Sequence, residues 1–566
     1  MNGIPEPLER PCRPIRCQNW FRFAIGVVAL IDCWICRYRM IPDGVSYLDM
    51  GDLYWKGDWH AALNTYWSPL YGWLTGLMFC ITKPSMRWEY PEVHLLNFVI
   101  FLAALFSFEV FWAELLASTG ERNWTNGTRQ YAWILGYLLF AWIHFGSGDI
   151  QLVSPDLLVI ALVYLASALM MRFAEGRMRI PSAALLGIVL GFGYLAKAAM
   201  LPFAALMMAT MLAVALKRHG RKRLAGVTLL CLLAVSMPFI TALSLNQHRF
   251  TFGDSAKITQ GWFLNHVSPN YRHWQGGGPG RAGAQHTTRK LLRWPEIYEF
   301  ATPVEGTYPV WYDPSYWYAG LDSSVHPLRE IAVFSRSMIQ IASYLIRGFG
   351  ILTTVALMMF FLSDGLGEAR RRLIGFWPIL VPAVSLVLIY SMVHWEQRYT
   401  TGLMLIGYGA VMASAWSSEE AHRRKVFRVA SLILGVILVC SVLPVFLVRE
   451  NKGGGRKSAE QVEIAERLRT LGITPGDRVA LIGDGFDEAD WARLEKVTIV
   501  AEVPQNLETG NSAAAFWNAG QETRLSVLNI LKSVGAKAVV AETPPDVLPP
   551  GWVQIGNTGH AIYFFE

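Results

Sequence analysis

Residues 37–91 read RYRMIPDGVSYLDMGDLYWKGDWHAALNTYWSPLYGWLTGLMFCITKPSMRWEYP, from Arg37 to Pro91. Four aspartates, Asp43, Asp49, Asp52 and Asp58, stand among Tyr, Trp and His in a chain of which only 16% is charged. The stretch follows the first hydrophobic run. Carboxylates grouped beside an apolar span must stay hydrated, pair with cations, or act on a polar group that reaches them. We read the stretch as the rim of an active site at a membrane surface.

The chain around it has 566 residues, of which 53% are hydrophobic, and a mean hydropathy of +0.30. Such a composition, with repeated apolar runs, excludes a soluble globule. Runs able to span lie near 19–36, 92–115, 131–147, 157–171, 182–197, 200–216, 224–245, 338–362, 373–393, 399–416 and 426–448. The expected fold class is a polytopic all-α membrane protein of about eleven spans, followed by a small soluble α/β domain. The formal net charge of +7 does not point to nucleic acid. Its basic residues gather in short loops, Lys217–Arg223, Gly367–Arg372 and His422–Lys425, the pattern that orients spans with positive loops in the cytoplasm.

Trp67 to Ile81 decides the topology. If it spans, the arginine-rich Met171–Arg179 loop falls outside and Ser147–Asp156, without Lys or Arg, falls inside. If it lies flat on the outer surface, every strongly basic loop is cytoplasmic. The second arrangement is expected, with the N-terminus in and the C-terminus out. Arg10, Arg13 and Arg16 before the first span, with no small-residue cleavage site after it, fit an uncleaved anchor. The membrane domain then covers 1–448, with external loops 37–91, 147–156 and 246–335, and the soluble extracytoplasmic domain covers 449–566.

The long loop is rich in Gly, Trp, Tyr, His and Pro, a poor core but a suitable aromatic lid. In the tail, RVALIGD, VTIVAEV, AKAVVAE and AIYFFE alternate with helical segments, which reads as α/β. GDGFD at Gly483–Asp487 lacks the glycine spacing or the lysine of a nucleotide loop and is an ordinary strand-to-helix turn. None of the seven cysteines lies in the long loop or the tail, so no disulfide framework holds them. No paired-histidine spacing supports zinc.

Several short motifs then fall in order: PDGVSYLD after the first span, SPDLL at Ser154–Leu158, a glycine-rich run closing on Lys197, and HWEQRY at His394–Tyr399. In order and spacing they resemble the GT-C superfamily of membrane glycosyltransferases. The similar branch is that of protein mannosyltransferases and lipid A aminoarabinose transferases, which take sugar from a polyprenyl-phosphate carrier. The resemblance covers about the first 420 residues.

It implies an inverting transferase acting on a polyprenyl-phosphate-linked sugar and an unidentified hydroxyl acceptor, in contact with membrane lipids. The implied catalytic acids are Asp43 and Asp156. Arg398 and Lys197 would hold the donor phosphate, with Glu396, Tyr399 and Asp52 supporting. A divalent metal is optional, because Gly44 stands where many relatives carry a second acid. Arg347, inside an apolar run, adds a cation whose burial in lipid would cost roughly 2–3 kcal/mol unless an anion met it or it snorkelled to the interface. The rival classes are a transporter or lipid flippase, which an inverted internal repeat would favour although none is found, and a non-catalytic envelope assembly protein acting through its tail.

Overall fold

The computed structural model describes residues 16–120, 124–216, 221–264, 285–286, 288–300, 303–321, 324, 326–363, 365–415, 417–451, 454–506 and 510–565. Arg10 and Arg13, much of the KRHGRKR loop, and the glycine-rich part of the long loop lie outside them. Helices dominate. Met86–Ala117, Asp156–Glu175 and Lys222–Asn246 are each long and apolar enough to cross a membrane. Two bent pairs meet the same criterion together: Pro327–Arg347 with Gly350–Phe361, bent by 81°, and Leu366–Gly375 with Trp377–Val393, bent by 71°. These are the helices of an integral membrane protein. The expected eleven spans are not reached on helix length, since three to five qualify among the described residues.

The expected span at 338–362 is broken at Gly348. Its first helix, Pro327–Arg347, carries Arg329, Glu330, Arg336 and Arg347 as well as the exposed Leu328, Ile331, Ile339 and Ile346. A helix that presents both charge and apolar side chains to its surroundings is suited to lying along an interface. The chain turns inward only where the sequence becomes uniformly apolar, at Gly350–Phe361. Arg347 therefore stands at the bend.

Trp67 to Ile81 becomes the helix Pro69–Thr82, whose 14 residues extend roughly 21 Å, short of the ~30 Å hydrocarbon core. It packs on Pro42–Lys56 through glycines. A Cβ on Gly76 would come within 2.5 Å of the Gly51 carbonyl oxygen, so the two backbones touch where a side chain has no room.

The tail forms a sheet of mixed direction. Its strands are β3 (Arg478–Gly483), β4 (Thr498–Asn506), β5 (Gly510–Asn511), β6 (Ala538–Glu542), β7 (Trp552–Gln554) and β8 (His560–Phe564). β3 runs parallel to both β4 and β6, and the apolar runs of β3 and β6 are buried throughout, as expected of strands covered on both faces. The long loop is more than a lid. It contributes β1 (Arg289–Arg293) and β2 (Glu296–Glu299), a hairpin whose Tyr298 and Glu299 pair with Glu502 and Ala501 of β4. A two-stranded hairpin is marginal alone, and the edge of β4 supplies backbone partners and a core for Ile297.

At the carboxyl end of β6, burial beside Glu488 pushes the Glu542 carboxyl up to about 8, against the Asp484 amide that it accepts from. Desolvation and the neighbouring Glu488 and Asp487 likewise push the Asp490 carboxyl up to about 7. A carboxyl whose folded pKa is raised holds its proton more tightly when folded, so its contribution is complete below its unfolded pKa and is lost as pH rises toward about 8. The full chain in detergent is therefore expected to melt at a lower temperature at pH 9 than at pH 6. Glu542→Gln should flatten that decline, and an unchanged slope would remove Glu542 as its source.

Candidate active site

Four helix ends meet at one point. Asp43 lies in the first turn of Pro42–Lys56, and Asp156 in the first turn of Asp156–Glu175. Each carboxylate thus sits where the helix dipole favours an anion. Lys197 caps the C-terminus of Ile180–Ala196, where the dipole favours a cation, and Glu396 precedes Gln397–Ser414 with Arg398 in its first turn. The loop Ser147–Asp156 is pinned from below. Buried His144 bonds Asp149 at 3.2 Å and Tyr164 at 3.0 Å.

Arg398 ties the acids together. Its guanidinium lies 3.0 Å from Asp43 Oδ2, 2.7 Å from Glu396 Oε2 and 3.7 Å from Asp156 Oδ2. Lys197 pairs with Asp156 Oδ1, and its ammonium stands 3.6 Å from the centre of the Tyr399 ring, a cation–π contact. Ser154 donates to Asp156 at 3.0 Å. The Trp311 indole N–H donates to Asp43 Oδ1 at 3.3 Å. Burial alone would raise Glu396, but its bonds from His394 and Arg398 outweigh that and lower it to about 2, so it remains an anion at neutral pH. The Asp43 and Arg398 side chains keep 17% and 20% of their exposure, so an incoming ligand can reach them.

Six sequence candidates, Asp43, Asp156, Lys197, Glu396, Arg398 and Tyr399, thus converge. Arg347 lies at their margin, lining one groove with Tyr344, Trp395, Glu396 and Gln397. Asp52 lies elsewhere. It pairs with Arg493 at 2.9 Å and Lys496 at 3.2 Å, both from the tail. Arg493 is itself 2% exposed and also meets Asp49 at 2.7 Å and Glu89 at 2.8 Å, so the acids of the first loop are divided between a cleft and a docking surface. Sequence reasoning missed Trp311. Its signal was the pair of prolines, Pro309 and Pro314, that each begin a short helical turn on either side of it in sequence.

The sequence matches no family model and no curated protein. The structure matches solved ones. ArnT from Cupriavidus metallidurans in the apo state superposes with a TM-score of 0.51 at 13% identity, covering 97% of this chain and 98% of that one. The chain has the GT-C fold. The same ArnT bound to undecaprenyl phosphate matches with a TM-score of 0.42 at 13% identity over the same shares of the two chains. The Archaeoglobus fulgidus oligosaccharyltransferase in the apo form matches at 0.48, with 11% identity over 93% of this chain and 70% of that one.

In this chain the clustered carboxylates face cations. No group of three or more His, Cys, Asp or Glu able to hold a metal ion occurs among the described residues. Asp43, Asp156 and Glu396 are each already paired with Arg398 or Lys197, so the donor set does not fit a resident metal.

Proposed function

We propose that the chain is an inverting glycosyltransferase, moving a monosaccharide from a polyprenyl-phosphate carrier to a hydroxyl acceptor on the outer face of an inner or plasma membrane. The observation that carries this reading is the convergence of Asp43 and Asp156 on Arg398 and Lys197 at a partly open cleft. The N-terminus would be cytoplasmic, and residues 449–566 an extracytoplasmic domain. The fold shared with ArnT supports the reaction class.

The chemistry follows from the charges. Three carboxylates and two cations leave the cluster one negative charge in excess, so a phosphate must displace carboxylates to bind. Arg398 offers a planar fork that suits phosphate as well as it suits Asp43. Arg347, in the adjoining groove, brings a third cation beside Glu396. When phosphate takes Arg398, Asp43 is released to accept the proton of the acceptor hydroxyl. The acceptor oxygen then bonds the anomeric carbon while the bond from that carbon to the phosphate oxygen breaks. Its electron pair leaves with the polyprenyl phosphate, whose charge Arg398 and Lys197 balance. One displacement inverts the anomeric configuration. Asp156 holds Lys197 and meets Arg398, which orients both cations.

The test begins with binding. Undecaprenyl phosphate in detergent micelles should raise the melting temperature of the purified wild-type chain. Arg398→Lys, which keeps the charge but loses the fork, should weaken that binding at least tenfold. Equal binding by the variant would refute the phosphate role of Arg398. Transfer is then scored with a panel of undecaprenyl-phosphate monosaccharides.

A further inference from the structure

The tail reaches the cleft through the Gly483–Asp487 turn, which follows β3 at the point where the sheet's order reverses, with β4 on one side and β6 on the other. In α/β sheets such a switch point opens a crevice at the carboxyl ends of the strands. Here the crevice is filled from outside by the long loop. Buried Glu502 of β4 accepts from the Tyr308 hydroxyl at 2.6 Å and from the Gly485 amide at 3.3 Å, so one carboxylate clamps the loop to the turn. The fit allows no side chain at Gly485, where a Cβ would come within 2.6 Å of the Tyr308 ring. Asp484 accepts from the Phe486 amide at 3.1 Å and fixes the turn that projects the Phe486 ring.

That ring meets Trp311 edge to face, with centroids 4.8 Å apart at 85°. Trp311 also stacks on Trp262 at 5.9 Å and 20° and meets the Trp67 ring edge to face at 5.7 Å and 74°. The Trp311 carbonyl is held by the Ser46 hydroxyl at 3.1 Å and the Trp67 indole at 3.3 Å. Stacking fixes the plane of the indole but lets it slide. The edge contact from Phe486, the shorter of the two, joins that of Trp67 in limiting the slide and leaves the indole N–H donating to Asp43 Oδ1.

We infer that the tail is a working part of the transfer site, with Phe486 a positioning residue that sets Trp311, and Trp311 in turn orienting the Asp43 carboxylate. This rests on the proposed role of Asp43 as base but adds a residue from a region outside the superfamily motifs. With Oδ1 held by the indole and Oδ2 by Arg398, arrival of phosphate at Arg398 frees one defined oxygen toward the acceptor.

Two measurements test it. In transfer assays of the full chain, Phe486→Ala and Trp311→Phe should each lower kcat about tenfold with the donor KM changed less than threefold. The double variant should lose no more than the worse single, since both act through one relay. Phe486→Tyr, which keeps the ring, should recover to within threefold of wild type. Multiplied losses in the double variant, or an undiminished kcat in Phe486→Ala, overturn the relay. The second measurement needs no reaction. In protein labelled with 5-fluorotryptophan, the fluorine resonance that Trp311→Phe deletes should move in both Asp43→Asn and Phe486→Ala. A resonance that stays in place in Phe486→Ala overturns the relay whatever the enzyme transfers. A resonance that moves, in a chain showing no transfer, keeps the relay and defeats only the reading of Asp43 as base.

Discussion

Asp43→Asn should lower transfer about 10²- to 10⁴-fold, the usual contribution of a positioned general base. Binding of undecaprenyl phosphate should remain within threefold of wild type or become tighter. The reason is local. Asparagine keeps a carbonyl for the Trp311 indole but surrenders the negative charge that occupies Arg398, which becomes easier for phosphate to claim. An equal loss of binding and transfer would mean that Asp43 holds the donor. Wild-type transfer by the variant would sink its role as base. Measured together, kcat and lipid binding separate these cases.

The second large effect is structural. Arg493 is buried and meets Asp49, Asp52 and Glu89, and its removal leaves Lys496 as the cation paired with Asp52 and Glu89 among the described residues. Burial alone would raise the Asp52 carboxyl, but Arg493 and Lys496 outweigh it and hold Asp52 below its ordinary value. Breaking such a buried pair from one side costs about 3–5 kcal/mol, because the surviving charges keep their desolvation penalty. Arg493→Met should therefore loosen the tail from the membrane core. Limited proteolysis of the full chain should release a tail fragment that the wild type resists, and the melting temperature should fall. Arg493→Lys should be intermediate, because one ammonium cannot bridge three carboxylates. If Arg493→Met melts and resists protease like the wild type, the docking surface is held by other contacts.

Much of this was legible along the chain. Apolar runs announce membrane helices because lipid demands them, and alternating strand and helix patterns announce the tail sheet. Asp43, Asp156, Lys197 and Arg398 were legible through the ordered motifs that carry the resemblance, PDGVSYLD, SPDLL, the glycine-rich run closing on Lys197, and HWEQRY. Arg493 was not. A basic residue in DWARLE reads as a solvated helix position, and nothing nearby reports the acids that arrive from residues 49, 52 and 89. Asp52 was misgrouped for the same reason, since its neighbours in sequence include both cleft and docking acids. The β1–β2 hairpin escaped because its order comes from β4, far along the chain, while RKLLR and EIYE are too short to speak for themselves. The break at Gly348 is silent in mean hydropathy, because the exposed Leu328, Ile331, Ile339 and Ile346 offset Arg329, Glu330, Arg336 and Arg347 along the same helix.

The hairpin also sets a clock. Tyr298 cannot find Glu502 until the ribosome has made everything between them, which takes ~10–40 s at about 5–20 residues per second. Through that interval the segment bearing Trp311 has neither β4 nor the Gly483–Asp487 turn to rest on. The membrane helices can be threaded into lipid while the cleft above them is still unassembled. Assembly of the cleft therefore waits for β4, in the middle of the tail, and a nascent chain stalled before it would occupy the bilayer with the Trp311 segment unsupported.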